Sequence, residues 1–269
     1  MPKIKLLFTC AHNGKNDGTT TNPPIIKREP IHFPANICRP EDGQGFSEDN
    51  DLLTEKLTEE IVRNIQSLSG KDPYTVYAEF KREFIDYNRN ERCAFVPSSV
   101  NEPSSVKAKE EYLKYHNEIS QKIEEMLPEG DKGLAFLFDI HGTMEEKSPT
   151  TDPERNFIEV LIGTDQTRSR QALTERDPNY FWSHKNGLIP LLATKRIRVF
   201  PENESQELEN HPLDGGYTIK TYGSTNRTKP GLVAIQIEVI HCIRDNRYCR
   251  EKFAADMAEC ILKFVSPFL

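Results

Sequence analysis

Residues 134–140, Leu-Ala-Phe-Leu-Phe-Asp-Ile, form a near-continuous apolar run bounded by Gly133 and by His141-Gly142. A run this short and this apolar reads as a strand buried on both faces, as in the middle of a largely parallel sheet. Residues 4–10 (Ile-Lys-Leu-Leu-Phe-Thr-Cys) and 232–240 (Leu-Val-Ala-Ile-Gln-Ile-Glu-Val-Ile) repeat the pattern. Further strands are expected at 74–80, 157–162 and 197–200.

Helices fall between them. Leu53, Leu57, Ile61 and Ile65 recur at i, i+4 over residues 51–66, which makes one amphipathic face. Tyr112, Tyr115, Ile119, Ile123 and Met126 do the same over 107–126. Helices are also expected at 166–178 and 250–265. Alternating strands and helices point to an α/β protein with helices on both faces of the sheet. The expected architecture is three layers, α/β/α, around a mixed central sheet, of phosphorylase/hydrolase-like type. A chain of 269 residues fits one such domain. Residues 13–49, rich in Pro, Asn, Gly and Asp, read as a long loop insertion, and loops of that length are commonly functional.

Composition removes several classes. The formal net charge is -7 and no Lys/Arg run is present, so nothing offers a nucleic acid a basic stripe. No segment has the apolar length of a membrane span. The apolar run at the start is too short for a signal peptide, and the sequons at Asn203 and Asn226 are at chance level. A cytoplasmic protein is expected. The six cysteines show no C-x-x-C spacing and read as reduced thiols, with Cys10, Cys242 and Cys260 as core fillers.

Chemistry concentrates at a few positions. His12 and His141 each stand at the C-terminal end of an expected buried strand, the edge where open α/β sheets build their sites. A catalytic zinc commonly takes three protein ligands and leaves one position for water. Asp51 is the natural third candidate, although a carboxylate at the start of a helix is also favoured simply as a cap. Glu238 interrupts an apolar strand. It is either buried for proton transfer, or faces solvent beside Gln236 on an edge strand. Arg82, Asp86, Asn88 and Arg89 form R-x-x-x-D-x-N-R, able to hold a substrate carboxylate bidentately or simply to lie in solvent. Residues 211–223 carry Gly215-Gly216 and two tyrosines. Tyr217 or Tyr222 could donate a phenolic hydrogen bond, and a plain β-turn leading into a strand fits the segment as well. His116 reads as a packed histidine. No G-x-S-x-G elbow, Walker A loop, dinucleotide fingerprint or H-E-x-x-H motif is present.

Taken in order, these pieces resemble the N-formylglutamate amidohydrolase family. The matching residues are His12-Asn13-Gly14, Asp51 with Thr54 and Leu57, Asp86-Tyr87-Asn88-Arg89, Tyr115-His116, Asp139-Ile140-His141, Gly215-Gly216-Tyr217 with Tyr222-Gly223, and Gln236-Ile237-Glu238. The order of roles is also similar to that of the zinc carboxypeptidase and aspartoacylase group. The resemblance implies one zinc ion per chain on His12, Asp51 and His141. It implies Glu238 as general acid/base. It implies Arg82, Asn88 and Arg89, with Tyr222, on a small acyl-amino-acid substrate, and Asp139 behind His141. A carboxypeptidase-like peptidase and a non-catalytic metal- or ligand-binding protein remain alternatives.

Overall fold

The computed structural model of the protein describes residues 1–33, 38, 47, 49–144, 146–147, 157–210, 215–224 and 230–269. A six-stranded sheet runs through it in the order β2-β1-β3-β8-β6-β7. These are β1 (Lys3–Cys10), β2 (Asp72–Tyr77), β3 (Ala135–Thr143), β6 (Val160–Gly163), β7 (Val199–Phe200) and β8 (Leu232–Ile240). Strands β2, β1, β3 and β8 are mutually parallel, whereas β6 runs antiparallel to β8 and parallel to β7. The sheet is therefore mixed, as expected. A two-stranded ribbon, β4 (Glu146–Lys147) with β5 (Phe157–Ile158), stands apart from it.

Side-chain alternation along the three central strands sorts the core into two layers. Leu6 and Phe8 of β1, Phe136, Phe138 and Ile140 of β3, and Val233, Ile235, Ile237 and Val239 of β8 share one apolar cluster. Helix α1 (Thr54–Ser69) joins it through Leu57, Ile61 and Ile65, and α9 (Arg247–Val265) through Phe253, Met257, Ile261 and Phe264. The alternate residues Leu7, Ala135, Leu137, Leu232 and Ala234 form a second cluster with Tyr112, Tyr115, Ile119, Ile123 and Met126 of α3 (Glu102–Met126). Burying one such large apolar side chain contributes about 1.5–3 kcal/mol. This explains why β3 and β8 tolerate so few polar residues except at one end. Short helices complete the layers: α2 (Glu91–Ala94), α4 (Gln171–Thr174), α5 (Leu188–Thr194), α6 (Glu204–Asn210), α7 (Tyr217–Tyr222) and α8 (His241–Asp245).

Several local expectations are corrected. The helix expected over 166–178 is only one turn of α4, preceded by a 3₁₀ turn. Asp165, Gln166 and Thr167 all have positive φ, and Arg170 is fully buried between Phe181 and Trp182 and paired with Glu207. Tertiary contacts thus override the helical propensity of this segment. The glycine pair at 215–216 opens the short helix α7, not a turn into a strand; residues 211–214 lie outside the described residues.

The cysteines also differ from expectation. Cys38 and Cys93 form a disulfide across 55 residues, while Cys10, Cys242, Cys249 and Cys260 are not disulfide-bonded. Pairing depends on Cys38, in the long 13–49 segment, returning to α2, and spacing alone does not reveal that. Cys242 is exposed and so is not a core filler; Cys10 and Cys260 are buried. Among the described residues, no helix is long and apolar enough to cross a membrane.

Candidate metal centre

The polar residues of β3 and β8 lie at one end of a single face. Asp139 and His141 continue the row of Ala135 and Leu137, and Gln236 and Glu238 continue that of Leu232 and Ala234. Registered parallel strands pair His141 with Glu238 and Asp139 with Gln236. Neighbouring strands lie about 4.8 Å apart, so paired side chains on one face must meet. Strand β8 is central, between β3 and β6, and Glu238 is 8% exposed. The edge-strand reading of Gln236 and Glu238 therefore fails.

His12 follows β1 by two residues, and its carbonyl accepts a hydrogen bond from the Asp51 N–H at 3.0 Å. Asp51 does not cap a helix side chain to backbone. Helix α1 begins three residues later, and the Asp51 carboxylate turns inward to accept from the Gly142 N–H at 3.1 Å. Its backbone carbonyl instead anchors the helix start, accepting from the Thr54 hydroxyl at 2.6 Å.

Three ligand-type atoms converge. Asp51 Oδ2 lies 3.1 Å from His12 Nδ1 and 3.0 Å from His141 Nδ1, and the two Nδ1 atoms are 3.1 Å apart. All three residues are buried. The edges of a tetrahedron with ~2.0–2.1 Å zinc bonds are about 3.3 Å, so this triangle is close to the right size for one face of such a site. The far nitrogens are already engaged: His12 Nε2 meets Asp86 Oδ1 at 2.8 Å, and His141 Nε2 meets Asp139 Oδ2 at 2.9 Å. Asp139 is held in turn by the Thr9 hydroxyl at 2.6 Å. With Nε2–H given to a carboxylate, each neutral ring presents a lone pair at Nδ1. Two lone pairs and a carboxylate oxygen at this spacing repel unless positive charge lies among them. The same demand raises the pKa of His141 well above the ordinary value. Burial opposes the charged ring, but Asp139, Asp51 and Glu238 outweigh it. Burial likewise works against an ionised Asp51, and His12 and His141 more than reverse it. A proton on His141 supplies that charge, and so does a divalent cation. Carboxylate-backed imidazoles are the usual surroundings of a metal ligand.

Glu238 sits beside this triangle. Burial, assisted by the charge of Asp51, pushes its carboxyl up to about 8, against the pull of His141 and Arg82. Its Oε1 accepts from Gln236 Nε2 at 3.0 Å, and Gln236 Oε1 accepts from the Gly216 N–H at 2.7 Å. The Glu238 carboxyl is thus oriented from the start of α7.

The R-x-x-x-D-x-N-R segment divides its labour differently from expectation. Asp86 is fully buried and gathers His12, Arg82 at 2.9 Å, Arg28 at 3.7 Å and Arg89 at 3.9 Å. Burial would raise its pKa, but Arg82, His12 and Arg89 hold it well below the usual carboxylate range. Arg82 is thereby tied through Nε to Asp86. Asn88 accepts from the Thr218 N–H at 3.0 Å and approaches His141 Nε2 to 3.4 Å. A side chain on Gly216 would overlap the Asn88 amide, with its Cβ 2.0 Å from Nδ2, so only glycine fits there. Arg89 is half-buried, its carbonyl held by the Tyr112 hydroxyl at 2.8 Å. The link from Asp86 to His12 spans 74 residues. Its only trace in the sequence is a carboxylate set among arginines, and that reads equally well as substrate binding.

Tyr222 is not brought to the triangle. Its hydroxyl lies 2.9 Å from His116 Nδ1, inside a cluster that includes Tyr112 and Tyr217, while His116 Nε2 meets the Tyr87 carbonyl. Burial lowers the pKa of His116 to about 4, so the ring is neutral at pH 7. The unfolded chain takes up the same proton near ~6.5. Stability is therefore unaffected above that value and falls as the pH drops from about 6.5 towards 4, by about 3 kcal/mol in all. The His116→Gln protein should show a flatter stability profile over this range. Urea midpoints at about pH 4.5 and about pH 7.5 check it; an unchanged acid slope would remove His116 as its source.

No protein-family model matches the chain, and no curated protein matches it. Several solved structures do. A gene product of Agrobacterium tumefaciens aligns over 98% of this chain and 91% of its own, at 15% identity and a TM-score of 0.57. An N-formylglutamate amidohydrolase from Ralstonia eutropha JMP134 aligns over 100% of this chain and 95% of its own, at 14% identity and a TM-score of 0.57. The chain shares their fold. Identities this low establish the common architecture, a mixed α/β sheet between helices, and nothing finer.

Proposed function

We propose that residues 1–269 form a single metallohydrolase domain that cleaves the amide bond of a small N-acyl amino acid, with one zinc ion on His12, Asp51 and His141. The observation that carries this reading is the convergence of two carboxylate-backed Nδ1 atoms and one carboxylate oxygen at 3.0–3.1 Å beside a buried glutamate. The fold shared with an N-formylglutamate amidohydrolase, and the order of motifs in the sequence, support the choice of an acyl-amino-acid substrate.

Zinc at this position supplies Lewis-acid polarisation and an acidified water. Glu238 takes a proton from the attacking water, and a carboxyl with a raised pKa suits that exchange near neutrality. The same group returns the proton to the departing nitrogen as the C–N bond breaks, releasing an acid and an amine. Asp86 and Asp139 fix the tautomers of the two histidines. Arg89 and Asn88, with part of Arg82, orient the substrate through its carboxylate. Tyr222 contributes through His116 and the packing of α7 instead of by direct contact.

A panel of N-formyl, N-acetyl and short peptide amides of acidic amino acids tests the reading, with zinc supplied and Glu238→Gln run beside the wild type. The variant should keep its metal and lose about 10²–10⁴-fold in turnover. Retention of more than a tenth of the activity would exclude Glu238 as the base. Cleavage confined to peptides with a free C-terminus would make the enzyme a peptidase, and no cleavage of any member would overturn hydrolysis. Arg89→Ala should mainly raise KM, by about 10–100-fold, since charge-assisted hydrogen bonds are worth ~1.5–3 kcal/mol. Unchanged kcat and KM with an acidic substrate would take Arg89 out of the carboxylate site.

A further inference from the structure

Arg244, on α8, is 3% exposed and, among the described residues, has no carboxylate within ion-pairing distance. The other buried arginines among the described residues, Arg28, Arg82, Arg170 and Arg250, each have one. Burial works against its charge, and the fields of Asp51 and Glu238 are the largest that favour it. A buried cation without a partner is costly, so something else must hold it there.

Its hydrogen bonds show what does. Nε donates to the Val239 carbonyl at 2.9 Å, Nη2 to the Thr143 carbonyl at 3.1 Å, and Nη1 to the Leu52 carbonyl. Each acceptor stands one or two residues beyond a residue of the candidate centre: Leu52 after Asp51, Thr143 after His141, Val239 after Glu238. One rigid, planar guanidinium therefore spans the three chain segments that carry two of the ligand candidates and the base. Leu53, next along from Leu52, adopts a left-handed backbone with φ 65, which a leucine holds only when its surroundings over-determine it. The guanidinium also lies against Gly142, where an added Cβ would fall 2.4 Å from the Arg244 Cζ. Arg244 is held from behind as well, since its carbonyl accepts from Arg250 Nη1 at 2.7 Å and Arg250 pairs with Glu60 of α1.

We infer that Arg244 is a positioning residue that sets the spacing of Asp51, His141 and Glu238 by clamping the main chain beyond each of them. The inference rests on the metal reading of the centre. Lysine in its place keeps the charge but cannot span three carbonyls, because its ammonium is a single point and not a fork. Charge and geometry are separated by that substitution.

Cobalt(II) titration of the purified protein tests this, because visible absorption of bound cobalt reports both affinity and coordination geometry. Arg244→Lys should bind cobalt about 10–100-fold more weakly, the usual cost of losing an orienting partner, and with an altered spectrum. Gly142→Ala keeps the arginine but forces the guanidinium aside, and should shift affinity and spectrum in the same direction. It also serves if the lysine variant does not fold. Wild-type protein that binds cobalt while every folded variant matches it in affinity and spectrum would overturn the role of Arg244 alone. Wild-type protein that takes up no cobalt would overturn the metal reading itself.

Discussion

His141→Ala protein is expected to purify without zinc and to show no hydrolysis of any acyl-amino acid, and the wild type is expected to carry about one ion per chain. In the proposed centre His141 would provide one of three donors, and it is backed by Asp139 and faced by Asp51 and Glu238. With its ring gone, two donors remain, fewer than the three protein ligands usual for a catalytic zinc. Elemental analysis of both proteins after supplying zinc measures this directly. An alanine variant with a full equivalent of zinc would show that the ion binds elsewhere. Circular dichroism guards against a trivial cause, since the apolar rows of β3 and β8 do not depend on this side chain.

Asp86→Asn should cost about 3–5 kcal/mol of stability and weaken metal binding about 10–100-fold. Asp86 is fully buried and answers Arg82, Arg28 and Arg89 together with His12. Asparagine keeps the shape but removes the charge that answers the buried Arg82, and leaves His12 without a carboxylate to hold its tautomer. The sign with pH follows from the depressed pKa of Asp86: the stability it contributes is present above the ordinary carboxylate range and is lost on acidification. Denaturant midpoints at neutral pH, read beside zinc content, separate the two effects. A loss below about 1 kcal/mol would mean that the arginines find other partners, and the hub role of Asp86 would be abandoned.

Much of the fold was legible because two periodicities were clean. Strand β8 occupies the expected 232–240, and α1 and α3 bury the faces marked by Leu57, Ile61 and Ile65 and by Tyr112, Ile119 and Ile123. Local rules failed where a distant group outweighed them. Asp51 looked like a cap because helix starts favour carboxylates, yet Gly142, His12 and His141 draw it inward. The segment after 165 looked helical, yet the burial of Arg170 against Phe181 and Trp182 accompanies a left-handed turn before it and only one helical turn after it. Tyr222 looked like a substrate donor, but its partner His116 lies 106 residues away.

The sequence by itself determined the alternation of buried strands and amphipathic helices, and placed His12, His141 and Glu238 at or near the ends of apolar strands. Those properties are local, written in periods of two and 3.6 residues. Only the tertiary structure decided that Glu238 lies beside His141, that Asp86 belongs to His12, that Cys38 meets Cys93, and that Arg244 joins three segments. Strand order, register and the return of a long loop are set by the packing of the whole chain, and hydrogen bonds and ion pairs form only between groups that this packing has already brought together.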